Sequence, residues 1–293
     1  MATNEHHLEM IKTMTGGMVA PQEKFIRSKR FDSNGKPYGE FRDSLKTISD
    51  FKNFFSVFKS LFLPVLIISL TVKIDHYLVW ISGFLIMGLL QNYLFILHHE
   101  ASHRLLFSNK KINDFIGINI IGWLTFGTGN HGYRITHMRH HRDEFGPKEP
   151  DFILYSFYPI SKSSLFKKLL RDSMGISAFR ILKPRFQDLK NLKKLKSTLS
   201  FLSGQIFLIL CFGLFTSFKT YIFLWFLPWA CIYQILNRLR AISEHGGMTR
   251  SSDKRKTTHH IRQNWLTNVL ITPYKTGFHL AHHIDMSIPW RNL

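Results

Sequence analysis

The sequence predicts an all-α integral membrane protein with four transmembrane helices, arranged in two hairpins, and a cytoplasmic helical cap. Two observations support this fold class. Apolar runs that approach the ~20 residues of a membrane-spanning helix occur in two closely spaced pairs. Almost all of the basic residues lie outside these pairs, as expected when they remain on one side of a membrane.

The four apolar runs are rich in Phe, Leu and Ile, and the two runs of each pair are separated by only a few residues. We predict one transmembrane helix for each run: residues 54–73, 77–97, 199–218 and 221–236. Two shorter apolar stretches, 112–126 and 265–272, are interrupted by Gly or Asn. They are predicted to lie at the membrane interface or to re-enter it without crossing.

The chain has 39 Lys and Arg residues against 19 Asp and Glu, a formal net charge of +20. Such a charge indicates either nucleic acid or an anionic membrane surface as a partner. If only the two hairpins cross the bilayer, 36 of the 39 basic residues lie on one side, which the positive-inside rule assigns to the cytoplasm. The charge is then explained without nucleic acid. Residues 162–196 are predicted to form basic helices against anionic lipid headgroups.

The distribution of polar residues predicts two regions. Residues 1–53 form a polar cytoplasmic N-terminal segment without the apolar core of a signal peptide, and residues 54–293 form the membrane domain. Both termini are therefore expected in the cytoplasm. The two cysteines, Cys211 and Cys231, lie in apolar runs, which excludes a disulfide framework, a thiolate zinc cluster and an iron-sulfur cluster.

Eight of the 16 histidines form three compact clusters, each next to an apolar run. The clusters are HHEASH with His99 and His103, HMRHH with His137, His140 and His141, and HLAHH with His279, His282 and His283. Residues three and four positions apart share one face of a helix, so each cluster directs its imidazoles to one point. Imidazole suits first-row transition metals, and eight exceed the capacity of one tetrahedral zinc ion. We therefore predict two metal ions in the cytoplasmic cap.

Six of the eight remaining histidines are predicted to lie outside the metal site. They fall in a loop, in a basic patch facing water or headgroups, in the N-terminal tail and in an external connection: His131, His259, His260, His6, His7 and His76. The topology is predicted from hydropathy and charge without reference to the histidines, and it places all three clusters on the cytoplasmic side. The histidines therefore support the topology independently.

The motifs HEASH, HMRHH and HLAHH, in this order and separated by paired apolar runs, resemble the histidine boxes of the membrane fatty acid desaturase superfamily. The resemblance covers roughly residues 55–293 and implies that the box histidines bind two iron ions, which activate dioxygen. It also implies a further ligand between the fourth span and the third box. His245 in RAISEHGG matches that position, with Arg240 and Glu244 before it. The first-box spacing of animal-type acyl-CoA desaturases is met by His98 and His103, so His98 is possible in place of His99.

Three acidic residues near the boxes are candidates for orienting the imidazole ligands. Glu100 and Glu244 each adjoin a predicted ligand, and Asp151 resembles the acidic position that follows the second box of the family. A carboxylate that accepts the outer N–H of an imidazole fixes the ring that binds the metal. Acyl-CoA desaturases of the animal type carry an asparagine four residues before the further histidine, whereas this chain has Ala241, which argues against that subclass.

The resemblance implies an oxidoreductase that uses dioxygen and two electrons. The expected reaction is desaturation of the acyl chain of a lipid. A hydroxylase or ketolase that acts on a fatty acid or a carotenoid is the alternative, because the boxes are compatible with each reaction. A separate electron donor, such as a ferredoxin or cytochrome b5, is expected to dock on the basic cytoplasmic face. The lipid bilayer and the acyl lipid are the other expected partners.

Two further functions fit parts of the pattern. Residues 99–103 read H-E-x-x-H, the zinc metalloprotease motif with Glu100 as general base. That function leaves the six histidines of the second and third clusters without a role. A histidine-rich zinc transporter requires ionisable residues at mid-membrane, and the interior of the predicted spans contains only Lys59, near one end.

Overall fold

The computed structural model describes Val19 and residues 25–293, and this part of the chain is helical, without a β-strand. The predicted tail histidines, His6 and His7, lie outside the described residues. The α-helices are, in chain order, α1 Gly39–Leu45, α2 Asp50–Ile74, α3 Tyr77–Ser102, α4 Lys110–Ile112, α5 Ile121–Leu124, α6 Gly132–Arg142, α7 Phe152–Tyr155, α8 Lys162–Ser173, α9 Ile176–Gln187, α10 Leu192–Phe215, α11 Phe218–Tyr221, α12 Gln234–His245, α13 Trp265–Leu270 and α14 His279–Ile284. The all-α prediction is confirmed.

Other helical turns connect these elements. The π-helical turns are Asn113–Ile120, between α4 and α5, and Ile222–Phe226 and Trp229–Tyr233, between α11 and α12. The 3₁₀ turns are Asp188–Lys190, Lys254–Lys256, Pro273–Lys275 and Trp290–Asn292. The shorter apolar stretch 112–126 is therefore helical along most of its length, and its placement at a membrane interface stays a prediction.

Among the described residues, four helical segments are long and apolar enough to cross a membrane: Gly39–Ile74, Tyr77–Ser102, Leu192–Phe215 and Phe218–His245. The four predicted spans are thus confirmed as candidate membrane helices, and their pairing into hairpins and their orientation stay predictions. The second and fourth segments run past the predicted ends at residues 97 and 236. Hydropathy marks where the apolar side chains stop, whereas backbone hydrogen bonding continues the helix into polar sequence. His99 and His245 lie on these helical extensions, and His103 follows directly as the C-cap of the second segment.

The described part of the chain forms two compact units. The span unit comprises residues 49–133 and 165–237, and the box unit comprises residues 25–48, 134–164 and 238–293. The first histidine cluster belongs to the span unit. The second and third clusters and His245 belong to the box unit.

Close helix contacts organise the span unit. A Cβ atom added at Gly83 of α3 would lie 2.8 Å from Oγ1 of Thr71 on α2, and one added at Gly88 would lie 2.4 Å from Cβ of Ile232. Small residues at these positions let helix backbones approach closely, as is common between membrane helices. The buried side-chain amide of Gln91 donates its Nε2–H to the carbonyl oxygen of Trp225 at 2.8 Å, so this donor is paired inside an apolar region.

The predicted basic helices of residues 162–196 correspond to α8, α9 and the start of α10. They combine exposed lysines and arginines with exposed apolar side chains: Phe166 is 66% and Phe179 is 63% exposed. This composition is typical of helices that lie in a membrane interface. Contact of these helices with lipid headgroups stays a prediction.

Residues 25–48 fold as part of the box unit. Arg42 of α1 makes a forked ion pair with Asp285, with Nε and Nη2 at 2.5 and 3.2 Å from the two carboxylate oxygens. The side-chain amide of Asn292 donates to the carbonyl oxygens of Leu45 and Thr47 at 2.7 and 2.9 Å. The segment before the first span is therefore joined to the chain just after the third histidine cluster.

Candidate metal centre

Three helices of the box unit present its histidines. Helix α6 carries the second cluster, α14 carries the third cluster, and α12 ends at His245. The spacing of three and four residues places the imidazoles of each cluster on one helix face. All seven side chains are buried: His137, His140, His141, His245, His279, His282 and His283.

Four of these histidines form the first histidine group: His140, His245, His279 and His283. One ring nitrogen from each lies within 4.8 Å of those of the others. Nε2 of His279 lies 3.1 Å from Nε2 of His245 and 3.0 Å from Nε2 of His283. Nitrogen atoms that face each other at such distances direct lone pairs to one point. A cation bound between them would satisfy all of these lone pairs at once.

The outer nitrogens of three of these rings are hydrogen-bonded to an oxygen atom, and the fourth, that of His279, lies near a carboxylate without a hydrogen bond. The Nδ1 pairs are His140 with Glu149 at 2.9 Å, His245 with the Thr257 carbonyl at 2.9 Å, His279 with Glu244 at 3.5 Å and His283 with Glu144 at 2.5 Å. A carbonyl oxygen can only accept, so Nδ1 of His245 carries the proton and its Nε2 keeps the lone pair. This arrangement of outer acceptors and inner lone pairs is the one found behind metal-binding histidines.

The second histidine group of the box unit consists of His137, His141 and His282. Nε2 of His141 lies 3.0 Å from Nε2 of His137 and 3.1 Å from Nε2 of His282. The second and third clusters therefore contribute to both groups, because neighbouring positions on each helix point to different centres. Two separate convergence points fit two metal ions better than one.

The first cluster belongs to the span unit. His99 lies in the last turn of α3 and His103 is its C-cap, and their ring centroids are 5.1 Å apart. His98 points elsewhere within the same unit, with Nδ1 3.1 Å from Oγ1 of Thr125 and its ring 4.7 Å from that of Tyr133. Of the two alternatives in the sequence, His99 is the one that shares a face with His103.

The predicted orienting carboxylates occupy different positions. Glu244 contacts Nδ1 of His279, as stated above, and Glu100 is buried at the end of α3. The carboxylate that contacts His140 is Glu149, and Asp151 donates its backbone N–H to Glu149 at 3.0 Å. Asp151 therefore lies one contact further from the imidazole than its resemblance to the family position implies.

Sequence reasoning missed three groups that contact the first histidine group: the carboxylates of Glu144 and Glu149 and the carbonyl of Thr257. The two glutamates lie in the acidic segment HRDEFGPKEPD directly after the second cluster, and this concentration of acids was an available signal. The Thr257 carbonyl left no signal, because a backbone carbonyl is present in every residue.

Burial keeps the three imidazoles of the third cluster in the neutral form. Burial lowers the pKa of His282 to about 3, and it lowers the pKa values of His279 and His283 well below their usual range. Neutral imidazoles are the form that binds metal. Burial also acts to lower the pKa of His140, but the carboxylate of Glu149 outweighs this effect and raises it to about 9.

Among the described residues, the histidines that were predicted to be non-ligands are not members of the two groups. His131 and His260 are exposed, and His76 is the N-cap of α3. His259 differs from the prediction that it faces water or headgroups, because its Nε2 lies 2.8 Å from the carbonyl oxygen of Gly246. That contact forms because the loop carrying His259 returns to the end of α12. The path of a loop cannot be predicted from hydropathy.

An apolar wall borders the first histidine group. Phe145, Phe152, Tyr155, Ala241 and Met248 form a buried cluster in the box unit. The ring of Tyr155 lies 5.0 Å from that of His245. Such a wall excludes water from one side of the centre, which strengthens electrostatic interactions inside it.

Residues 75–293 match the fatty acid desaturase family. This range contains every predicted ligand. Among curated proteins, the dihydrorhizobitoxine desaturase of Bradyrhizobium elkanii is 24% identical over 224 residues, which correspond to 70% of this chain. The chain spans 63% of the length of that relative.

Proposed function

Because the chain belongs to the fatty acid desaturase family, we propose that it is a membrane desaturase that introduces a double bond into the acyl chain of a lipid. The observation that carries this proposal is the convergence of buried imidazole nitrogens at two points in the box unit. In the proposed reaction, two vicinal C–H bonds are lost, and dioxygen with two electrons and two protons becomes two molecules of water.

The proposed cofactor is a pair of iron ions. One would be held by the first histidine group and the other by the second, with His99 and His103 as further ligands on the strength of the resemblance to the family's histidine boxes. Imidazole nitrogen suits iron, and the chain has only two cysteines to offer a thiolate site. When bound, the iron pair supplies the dioxygen-dependent removal of hydrogen from an unactivated methylene, which no side chain can perform.

The protein's own residues prepare this chemistry. Glu149, Glu144 and the Thr257 carbonyl hold the outer nitrogens of His140, His283 and His245 and so fix the directions of the inner ones. The buried aromatic side chains beside His245 keep bulk water away from the centre. Rigid placement of ligands in a dry site is what the protein contributes in a metalloenzyme of this kind.

The apolar segments and the exposed basic residues of the chain support the proposals for the acyl substrate and the electron donor. The four apolar segments make the chain a multi-pass membrane protein, so an acyl chain in the bilayer is available to it. The amphipathic basic helices α8 and α9 suit contact with acidic lipid headgroups. The basic residues outside the spans suit docking of an acidic electron carrier on the cytoplasmic side, such as a ferredoxin or cytochrome b5.

Hydroxylation or ketone formation on a fatty acid or carotenoid is the second candidate, because the histidine boxes are shared by all of these reactions. The dihydrorhizobitoxine desaturase of Bradyrhizobium elkanii adds a third candidate substrate class, since its name refers to dihydrorhizobitoxine and not to a fatty acid. A zinc protease centred on residues 99–103 is disfavoured, because the seven buried histidines of the box unit would have no role in it.

The test is expression of the chain with a ferredoxin and its reductase in a bacterium that lacks desaturases. Gas chromatography with mass spectrometry of the fatty acid methyl esters is expected to show one new double bond at a fixed position. The variant His282→Ala is expected to leave the profile saturated, and His260→Ala, at an exposed histidine, is expected to match the wild type. New hydroxylated fatty acids, or oxygenated carotenoids in a carotenoid-producing host, would contradict desaturation. An unchanged lipid profile would contradict the acyl substrate.

A further inference from the structure

A buried carboxylate links the second and third histidine clusters within the box unit. Oε1 of Glu144 lies 2.5 Å from Nδ1 of His283 and 2.7 Å from Nζ of Lys254. The side chain of Glu144 is 3% exposed and that of Lys254 is 30% exposed. The ammonium group therefore reaches inward to a carboxylate that has almost no access to water.

The same ammonium group contacts the end of α6. Nζ of Lys254 lies 3.3 Å from the carbonyl oxygen of His141, one residue before the end of that helix. The last carbonyls of a helix lack partners within the helix and carry partial negative charge, so a cation there is favourable. Lys254 thus binds the end of the helix that carries the second cluster and, through Glu144, the third cluster.

Burial makes this lysine important for the carboxylate. An ionised carboxylate in a water-excluded site is costly unless it is paired and hydrogen-bonded. Without the cation, the carboxylate of Glu144 would turn toward solvent, and His283 would lose the acceptor that orients its ring. Outer partners of metal-binding imidazoles typically change metal affinity about 10- to 100-fold when they are removed.

We propose that Lys254 is a positioning residue of the metal centre, which holds Glu144 against His283 and fixes the second and third clusters relative to each other. The inference rests on the proposed iron site. The neighbours of Lys254 in the 3₁₀ turn Lys254–Lys256 do not share this role. Arg255 pairs with Asp253 at 2.8 Å, and Lys256 is exposed.

The experiment compares Lys254→Met with Lys254→Arg and with the matched control Lys256→Met. Each protein is purified in detergent and loaded with ferrous iron without oxygen, and the release of iron to a chelator is followed over time. In Lys254→Met, iron release is expected to accelerate about 10- to 100-fold, because Glu144 no longer holds the imidazole of His283. Lys254→Arg, which keeps the cation, is expected to restore slow release, and Lys256→Met is expected to match the wild type.

A double-mutant cycle with Glu144→Gln tests whether Lys254 acts through the carboxylate. The combined variant is expected to release iron at the rate of Glu144→Gln alone, whereas independent effects would multiply and would overturn the proposal. Unchanged release in Lys254→Met would overturn it as well. If Lys254→Met does not elute as a folded monodisperse protein, Lys254→Gln takes its place with the same expectations. A wild-type protein that binds no iron would contradict the proposed function, which keeps the two failures distinguishable.

Discussion

In the span unit, glycines bring helices into close contact, whereas in the box unit buried ion pairs hold separate chain segments together. Gly83 and Gly88 of α3 leave no room for a side chain against the neighbouring helices. In the box unit, Lys254 pairs with Glu144 and Arg42 pairs with Asp285, and both carboxylates are 3% exposed. Folding of the span unit therefore depends on close helix packing, and folding of the box unit depends on buried ion pairs. Substitutions that disturb packing and substitutions that remove a charge should affect different properties of the protein.

The largest expected effect is the loss of iron and activity on His140→Ala. The substitution removes one imidazole from the first histidine group and leaves the helix packing of the span unit untouched. We expect desaturation to fall below detection and iron content to drop, while the protein still elutes as a monodisperse species in detergent. Iron analysis and fatty acid profiles measure these changes. A His140→Ala protein with wild-type iron and activity would show that the first group is not the metal site.

The second effect concerns folding. Gly88→Leu would place a side chain where Ile232 already lies, so we expect the free energy of unfolding to fall by about 1–3 kcal/mol. The matched control is Gly213→Leu in α10, because a Cβ added there meets nothing within 4 Å. Thermal unfolding in detergent is expected to show an early transition for Gly88→Leu and a wild-type transition for Gly213→Leu. Equal stability of the two variants would refute the role of close packing.

The smallest effect is expected at the N-terminal contact of the box unit. Arg42→Met leaves the carboxylate of Asp285 with Ser287 as its remaining donor at 2.7 Å, and we expect a loss of about 1–3 kcal/mol. Lys46→Met is the control, since it breaks an exposed ion pair with Asp43 that is expected to contribute less than about 1 kcal/mol. Thermal unfolding of the iron-free proteins separates the two. A larger loss for Lys46→Met would contradict the dependence on buried charge.

The fold could be predicted from the sequence because its determinants are local. A run of apolar residues defines a membrane helix without reference to any other part of the chain. The histidine clusters were equally accessible, because spacings of three and four residues place side chains on one helix face. The ends of the second and fourth helices were not accessible in this way, since Ser102 and His245 lie in polar sequence that hydropathy does not assign to a helix.

The surroundings of the histidines could be predicted only in part. Glu244 was found because it adjoins His245 in the sequence, whereas Glu144 contacts His283 across 139 positions. Composition alone predicts Lys254 to be exposed to solvent, because its neighbours Arg255 and Lys256 give the turn the composition of a basic surface patch. Which of three adjacent cations points inward depends on the path of the loop and not on composition.

X-ray absorption at the iron edge, combined with the metal content of the purified chain, tests the central claim most directly. About two iron ions per chain are expected, with first neighbours that are nitrogen or oxygen and with the outer-shell scattering of several imidazole rings. Sulfur should be absent from the first shell, since Cys211 and Cys231 lie in apolar runs. One zinc ion per chain, or iron without imidazole scattering, would contradict a histidine-bound iron pair.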